Sequence, residues 1–259
     1  MKQILFIIKY LKYYLVAKTD HGIHSPLVFE VYNEVINTKN EYYSFDKIEG
    51  VRKKLMSTNK KINVTDYGTG SSGDKFIKEI AKRSLKNAKY GQLLFRLVNY
   101  FKPTDIFELG TSLGITTSYL ASPSPKTQVT TIEGCPNIAK EAKNIFDSLR
   151  LNNINQVVGN FDTVLPKICS QYSTGNRPFV FFDGNHKKES TLNYFNQFLP
   201  MATGEAIFIF DDIHWSQEME EAWEEIQNNK NVSITIDLFF LGMIFFKKGV
   251  SKENFILHF

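Results

Sequence analysis

A glycine-rich turn between an apolar strand and a helix is the first candidate for binding chemistry. Residues 107–117 read FELGTSLGITT, so Gly110 and Gly114 bracket Ser112. Glycine lets the backbone approach a ligand closely, and a helix N-terminus offers unpaired N–H groups to an anion or carboxylate. The spacing is G-x-x-x-G, whereas a dinucleotide-binding turn requires G-x-G-x-x-G. A pyrophosphate-binding turn is therefore disfavoured.

An acidic residue ends the next predicted strand. Residues 130–134 read TTIEG, so Glu133 stands at the tip of this strand as Glu108 stands near the end of the preceding one. An acid at the tip of the second strand can accept both hydroxyls of a ribose. Because the glycine turn and Glu133 follow consecutive strands, together they favour a nucleoside-bearing cofactor.

Three carboxylates follow two later strands. Asp183 ends the predicted strand at 179–183, Asp211 ends the strand at 206–211, and Asp212 follows directly. Ligands of open α/β sheets bind outside the carboxyl ends of the strands, so we expect these side chains to converge. Carboxylates so placed repel one another unless a cation lies between them, and oxygen ligands suit Mg²⁺, Mn²⁺ or Ca²⁺. The alternative is structural, with Asp212 capping the following helix.

A parallel sheet is the element that would position these residues. From Pro103 onward, short apolar segments alternate with helical stretches, which predicts parallel strands joined by crossover helices. The last two predicted strands, 232–238 and 243–247, are joined by a connection so short that they must pair antiparallel. The other predicted strands are 105–109, 129–132, 156–158, 179–183 and 206–211.

Composition excludes several classes of protein. With 259 residues, 42% hydrophobic and 22% charged, the chain can fill a core, so disorder and coiled coil are poor descriptions. The formal charge is +4 and the arginines are scattered, so nucleic acid is not the expected partner. Cys135 and Cys169 form no CxxC or zinc spacing, which favours a reduced, cytoplasmic location.

Three motifs carry a family resemblance: residues 91–94 (GQLL), 108–114 (ELGTSLG) and 132–134 (IEG). They resemble class I S-adenosylmethionine-dependent methyltransferases. More narrowly, they are similar to the small-molecule O-methyltransferases related to catechol O-methyltransferase and to the macrolide sugar O-methyltransferases, over about residues 90–250. The resemblance implies an α/β fold with a Rossmann-like, seven-stranded sheet, parallel except for a C-terminal antiparallel hairpin.

The resemblance also implies where the cofactor binds. The loop from Gly110 to Gly114 would pack against the methionine part of S-adenosylmethionine, and Glu133 would hold the ribose. Asn160 and Phe161 lie where the family lines the adenine, although Asn160 replaces an acid there. The candidate cofactor-binding residues are Glu108, Gly110, Thr111, Ser112, Gly114, Glu133, Asn160, Phe161 and Asp183.

The acids fit the same family. Metal-dependent members place an Asp after the fourth strand and an acidic or amide pair after the fifth, which Asp183 and the pair Asp211 and Asp212 match. Many relatives keep the acids and work without metal. Three residues past the first acid this group often carries a Lys or His base, and here that residue is His186, suited to deprotonating a hydroxyl near neutral pH.

The expected reaction is methyl transfer from S-adenosylmethionine to a hydroxyl of a small molecule. His186 and Asp183 are the candidate catalytic residues. Asp183, Asp211 and Asp212 are the candidate ligands of Mg²⁺ or another hard divalent cation. Two alternatives stay open: a metal-independent methyltransferase acting on another nucleophile, and a non-catalytic S-adenosylmethionine-binding protein.

Two other functions are disfavoured. A nicotinamide oxidoreductase would need the absent G-x-G-x-x-G. A hydrolase is suggested because Gly110 to Gly114 formally fits Gly-x-Ser-x-Gly. Its catalytic partners would be Asp211 and either His214 or His258. A hydrolase mechanism, however, gives Glu133 no role. His214 is expected to pack or hydrogen-bond rather than bind metal. A second glycine-rich stretch at 66–70 (DYGTG) is read as a turn, because no strand with an acidic tip follows it.

Residues 1–87 are predicted to form a helical extension or lid, and residues 88–259 the methyltransferase domain. The polar stretch at 21–25 is expected near the mouth of the cofactor or acceptor site, with a plain surface turn as the alternative. Lys9 and Lys12 interrupt the apolar N-terminus, which predicts neither a signal peptide nor a membrane span.

The first helix presents an apolar stripe at helical spacing. This stripe is expected to dock the helix on the body of the protein, and the alternative is a dimer or membrane-surface helix. Its residues are Ile4, Ile8, Leu11 and Leu15, widened by Ile7 and Tyr14.

Overall fold

The computed structural model describes residues 2–65, 72–172 and 177–259, in which α-helices alternate with β-strands. The helices are α1 Lys2–Val16, α2 Pro26–Val31, α3 Tyr43–Ser57, α4 Ile77–Ser84, α5 Ala88–Phe101, α6 Ile115–Ala121, α7 Pro136–Leu149, α8 Phe161–Gln171, α9 Lys188–Phe198 and α10 Gln217–Asn228. The strands are β1 Lys61–Val64, β2 Gly73–Phe76, β3 Asp105–Leu109, β4 Gln128–Glu133, β5 Ile154–Val158, β6 Pro178–Phe182, β7 Ile207–Asp211, β8 Ile234–Asp237, β9 Leu241–Phe245 and β10 Glu253–Ile256.

The chain forms two compact units. One unit comprises residues 39–171, and the other comprises residues 1–38 together with 172–259. The boundary that the sequence predicted at residue 87 falls inside the first of these units. No described helix is long and apolar enough to cross a bilayer.

Parallel strands form the centre of the unit at 39–171. β3 pairs with β4 and β4 pairs with β5, both parallel, and the crossover helices α6 and α7 connect them. Every residue of α6 is buried. β1 and β2 form a separate antiparallel pair.

Close approach of two helices in this unit depends on Gly91. A Cβ at that position would lie 2.6 Å from Cδ2 of Tyr119, so glycine lets α5 lie directly on α6. The Tyr119 hydroxyl donates a hydrogen bond to Glu49 on α3 at 2.7 Å. Burial raises the pKa of the Tyr119 phenol, and the bond to Glu49 raises it further. Tyr119 therefore joins three helices as a neutral donor.

Parallel and antiparallel pairs combine in the other unit. β6 and β7 are parallel, β9 is antiparallel to both β7 and β8, and β10 is parallel to β8. The predicted C-terminal hairpin is therefore confirmed. The sequence analysis missed β10, a four-residue strand in which only Phe255 is buried, because one buried position gives no alternating pattern to detect.

The α/β class, with a parallel-dominated sheet and flanking helices, is confirmed. Some element boundaries differ from the prediction. Helices α4 and α5 are separated by a break at 85–87. Asn87 explains it, because its side chain accepts a hydrogen bond from the Lys89 N–H and so caps a new helix.

Helix α1 packs on its own unit through a different face from the one predicted. Phe6, Tyr10 and Tyr13 contact the ring of Phe239, with ring centroids 5.0 to 5.3 Å apart. Lys9 Nζ lies 2.6 Å from Glu220 Oε2. The aromatic side chains form the packed side of α1 because they reach the ring of Phe239. The predicted aliphatic stripe stays exposed.

Both cysteines are free thiols. Cys135 is buried and its sulfur accepts the Thr65 N–H at 3.3 Å. Burial raises the pKa of the Cys169 thiol to about 11.

Candidate active site

The glycine turn after β3 is held in an unusual backbone conformation. Gly110, Ser112 and Gly114 all have positive φ, at 108°, 47° and 76°. Such angles suit glycine but strain a residue with a side chain. Ser112 is held by two hydrogen bonds, from its N–H to Glu133 Oε2 at 2.8 Å and between its hydroxyl and that of Ser84 at 2.7 Å. The turn is therefore fixed before any ligand arrives.

Gly114 could not be replaced without moving the core. A Cβ there would lie 2.6 Å from Cε1 of Phe146 on α7, and the positive φ disfavours any other residue. Gly114 ends the turn and begins α6. The first turn of α6 thus begins directly after a glycine that packs against α7.

Glu108 lies beneath this turn, fully buried. Its Oε2 accepts hydrogen bonds from the hydroxyls of Thr117 and Thr131, and the Thr131 hydroxyl also meets that of Thr111 at 2.6 Å. These bonds tie β3, β4 and α6 together. Glu108 supports the turn from inside, and its contact with a cofactor stays a prediction.

Glu133, the last residue of β4, connects to the turn directly. Its two carboxylate oxygens accept the N–H groups of Ser112 and Cys135, at 2.8 and 2.9 Å. A carboxylate offers about four acceptor positions, so these two bonds do not by themselves exhaust its capacity. The structure therefore brings together the glycine turn and the acid that the sequence analysis paired.

Asn160 and Phe161 follow β5 at the start of α8. The Asn160 side-chain oxygen accepts the Asp162 N–H at 2.9 Å, which makes Asn160 a cap for α8. The Gly159 N–H donates to the Glu133 carbonyl, so this segment adjoins the end of β4. Both Asn160 and Phe161 are half-exposed. The capping role explains an amide here without reference to a ligand.

A second cluster lies in the other unit, at the carboxyl ends of β6 and β7. Potential ligand atoms of Asp183, His186 and Asp211 lie within 4.8 Å of one another. His186 Nε2 is 3.6 Å from Asp183 Oδ1, and Asp211 is almost fully buried. The parallel pairing of β6 with β7 explains the meeting of the two acids, because both strands end at the same edge.

The cluster differs from the predicted metal trio, since His186 takes the place of Asp212. Successive residues along a strand point to opposite faces. If β7 continued regularly through Asp212, the side chains of Asp211 and Asp212 would therefore point away from each other. Asp212 instead has positive φ, 54°, and its N–H donates to the Phe240 carbonyl. Two carboxylates and one imidazole form a mixed donor set, which fits Mn²⁺, Fe²⁺ or Zn²⁺ as well as the hard cations.

Asn185 is a site residue that the sequence analysis did not identify. Its φ is 55°, and its side-chain amide donates to Ser190 Oγ at 2.9 Å and to the Tyr194 hydroxyl at 3.2 Å. These bonds anchor the turn after β6 to α9 and bring His186 back towards Asp183. An Asn between Gly and His was the available signal, because Asn tolerates the left-handed conformation.

His214 hydrogen-bonds, as predicted, rather than joining the cluster. Its Nε2 lies 2.7 Å from Asp237 Oδ2 and its Nδ1 lies 3.2 Å from Glu220 Oε1. Burial opposes the protonated form, but the hydrogen bonds and charges of Asp237 and Glu220 outweigh it and raise the pKa of His214. His214 thus links Asp237 on β8 to Glu220 on α10.

The hydrolase alternative finds no support at Ser112. The hydroxyl of Ser112 bonds to that of Ser84, and its N–H bonds to Glu133. A nucleophilic serine needs a base at its hydroxyl, and a second serine is not one. The other glycine-rich stretch, at 66–70, lies outside the residues that the structure describes.

Comparison with known proteins agrees with this geometry. Residues 107–213, from the strand that leads into the glycine turn to just past β7, match the family described as a methyltransferase domain. No curated protein matches the chain.

Solved structures share the fold at low sequence identity. An O-methyltransferase from Bacillus cereus in complex with S-adenosylhomocysteine has 17% identity and a TM-score of 0.58, covering 82% of this chain and 95% of that one. The O-methyltransferase TomG from Streptomyces achromogenes, in complex with S-adenosylmethionine, has 18% identity and a TM-score of 0.58, covering 85% and 96%. A methyltransferase from Podospora anserina bound to S-adenosylhomocysteine has 11% identity and a TM-score of 0.61, covering 87% and 97%.

The family match falls on both clusters, and the structural matches cover most of the chain. The resemblance found in the sequence is confirmed at the level of the domain and the fold. Residues 107–213 are thus similar to a methyltransferase domain, and the chain shares the Rossmann-like α/β fold of the solved O-methyltransferases.

Proposed function

We propose that this methyltransferase transfers the methyl group of S-adenosylmethionine to a hydroxyl oxygen of a small molecule. The observation that carries the proposal is the bond from the Ser112 N–H to Glu133, which couples the glycine turn to the acid at the tip of the next strand. Neighbours of the same fold bind S-adenosylmethionine or S-adenosylhomocysteine, and two of them are O-methyltransferases.

Residues of the unit at 39–171 would bind the cofactor. The turn from Gly110 to Gly114 would face the methionine part of the cofactor, and Glu133 would accept the ribose hydroxyls. Thr111 and Glu108 would hold the turn in place through their buried hydrogen bonds. Phe161 would lie against the adenine, with Asn160 fixing the start of α8 beside it.

Acceptor activation falls to Asp183 and His186. The acceptor oxygen attacks the methyl carbon in line, the C–O bond forms as the C–S bond breaks, and the bonding pair leaves with sulfur as S-adenosylhomocysteine. His186 takes the hydroxyl proton, and Asp183, 3.6 Å away, stabilises the imidazolium that results. Holding oxygen and methyl in line can contribute about 7–11 kcal/mol to the rate.

A divalent cation is the second element of the proposal. Asp183, His186 and Asp211 would hold it, and their mixed donor set fits such an ion. A metal bound there would lower the pKa of an acceptor hydroxyl and orient it. His186 would then be a ligand rather than the base. The two versions give opposite responses to a chelator.

The remaining parts of the proposal concern partners and location. The acceptor is a small molecule, and the scattered arginines of the sequence give no reason to expect nucleic acid. Two free thiols fit a reduced, cytoplasmic location. A lid role for the N-terminal segment also belongs to this proposal, since α1 packs on the strand connection at Phe239, next to the Phe240 that bonds to Asp212.

Isothermal titration tests the cofactor class most directly. We expect S-adenosylmethionine and S-adenosylhomocysteine to bind and NAD not to bind. Binding of NAD alone would overturn the proposal. Binding of the sulfur nucleosides without turnover on any hydroxyl-bearing acceptor panel would instead favour the non-catalytic alternative.

A further inference from the structure

Helix α1 presents a broad apolar face to the outside of its unit. Ile4 is 63% exposed, Leu11 54% and Leu15 82%. These are the residues of the stripe that the sequence predicted would be buried. The other large apolar side chains exposed on α1 are Leu5, Ile7, Ile8, Tyr10, Tyr14 and Val16.

Packing within the unit cannot account for this face. The opposite side of α1 already packs through Phe6, Tyr10 and Tyr13. A contiguous exposed apolar patch marks an interaction site. We therefore expect another surface to cover the outer face of α1. This face is defined by Ile4, Ile7, Ile8, Leu11 and Leu15.

The charged side chains of α1 itself have one sign. Residues 2–16 contain no acidic side chain. Lys12 and Lys18 are exposed, whereas Lys9 is compensated by Glu220 at 2.6 Å. The surface that covers this face should therefore be apolar at its centre and negative at its edge.

Exposed aromatic residues lie on and beside α1. Trp215 is 64% exposed, and its ring meets Phe6, on the packed side of α1, with centroids 6.0 Å apart. Tyr14 is 57% exposed and packs against His258. Trp and Tyr favour the boundary between lipid headgroups and acyl chains, where their apolar bodies and polar tips are both satisfied.

We propose that the outer face of α1 binds the surface of an anionic lipid bilayer, with the helix lying in the plane of the interface. Apolar residues on one side, lysines beside them and bordering aromatics are the composition of such helices. A second copy of this chain would bring Lys12 and Lys18 towards the same positive face, with no acid on α1 to receive them. An anionic bilayer supplies the charge that a second copy lacks.

Co-sedimentation of the full chain with vesicles tests the proposal. We expect binding to vesicles of phosphatidylcholine and phosphatidylglycerol in equal parts, and at least about tenfold weaker binding to phosphatidylcholine alone. Added salt should weaken the binding, since the lysine contribution is screened. Equal binding to both vesicles, or binding to neither, would overturn the proposal.

Two variants and two matched controls locate the surface. Leu11→Glu should abolish vesicle binding, whereas Val250→Glu, at a position 48% exposed in the loop after β9, should leave it unchanged. Lys12→Gln should weaken binding about fivefold, from about 1 kcal/mol for each lysine near an anionic surface. Lys248→Gln removes the same charge from another exposed position. Circular dichroism checks that each variant is folded.

Sedimentation velocity separates a second copy from the bilayer. If the chain forms a dimer that Leu11→Glu dissociates and Val250→Glu does not, the outer face of α1 is a subunit interface and the proposal is wrong. A monomer in solution that binds anionic vesicles through Leu11 and Lys12 supports it.

Discussion

At the scale of single residues, the proposed cofactor-binding roles of the glycine turn and of Glu133 depend on hydrogen bonds that also hold the fold. Glu133 shows this most plainly, because the carboxylate proposed to accept ribose hydroxyls already accepts the N–H groups of Ser112 and Cys135. The same bonds that shape the glycine turn therefore orient the acid. A residue of this kind is fixed before the ligand binds, which lowers the entropic cost of binding.

Glu133→Ala should weaken S-adenosylmethionine binding. Up to two charge-assisted hydrogen bonds to the ribose are lost, each worth about 1.5–3 kcal/mol, or about ten- to 150-fold in affinity. Isothermal titration measures the change, and circular dichroism establishes that the variant is folded. Unchanged affinity in a folded variant would mean that another group holds the ribose.

Asp183→Asn separates the two versions of acceptor activation. If a cation binds at Asp183, His186 and Asp211, a chelator stops wild-type turnover and the variant loses any stimulation by added metal. If His186 acts as the base, a chelator has no effect and the variant lowers kcat while cofactor affinity stays the same. Lys248→Asn is a suitable control because it lies on an exposed loop.

At the scale of elements, glycines and the hydrogen bonds of His214 set the positions of helices. Gly114→Ala should destabilise the protein by about 1–2 kcal/mol for the left-handed backbone alone, and by more because Phe146 must move. Gly50→Ala, in the interior of α3 with no described atom within 4 Å of the added methyl, should instead stabilise by about 0.5–1 kcal/mol. Urea denaturation of both variants measures these changes in the free energy of unfolding. Equal effects would show that Gly114 is not constrained.

The link from His214 to Asp237 and Glu220 predicts a pH dependence of stability. The folded-state pKa of His214 is raised above the ordinary value of 6.5. Its stabilising contribution is therefore complete below about pH 6.5 and is lost as the pH rises through the raised value. His214→Gln should remove this part of the pH dependence. Urea denaturation at several pH values, for both proteins, measures the difference, and parallel curves would contradict the prediction.

At the scale of the whole molecule, the glycine turn, Glu133, Asn160 and Phe161 belong to one compact unit, whereas helix α1 and Asp183 belong to the other. Deleting residues 1–17 should therefore leave S-adenosylmethionine affinity within about twofold. Because the deletion exposes Phe239, it should also lower the free energy of unfolding by about 2–4 kcal/mol, as for lost core aromatics. Titration and urea denaturation measure the two effects. Lost turnover with retained affinity would support a lid, and full activity would leave the segment as packing or a docking surface.

How far the sequence predicts this molecule depends on the kind of pattern involved. The central strands were found because apolar runs bounded by turns identify parallel strands, and the turn at Gly110 to Gly114 was found from its glycines. The pairing of Ser112 with Glu133 could not be predicted, since it depends on the register of β3 and β4. The buried face of α1 was assigned wrongly, because aromatic and aliphatic residues both satisfy helical periodicity and only the shape of the receiving surface at Phe239 decides between them.

The state of the two native thiols has a practical consequence. The thiolate is the reactive form of cysteine, and with a pKa of about 11 the thiol of Cys169 is ionised in about one molecule in 10,000 at neutral pH. Cys135 is buried and excluded from reagents. Leu15→Cys, at a position 82% exposed, would therefore carry the fast-reacting thiol of the chain. A spin label attached there could report its depth in a bilayer without removing either native cysteine.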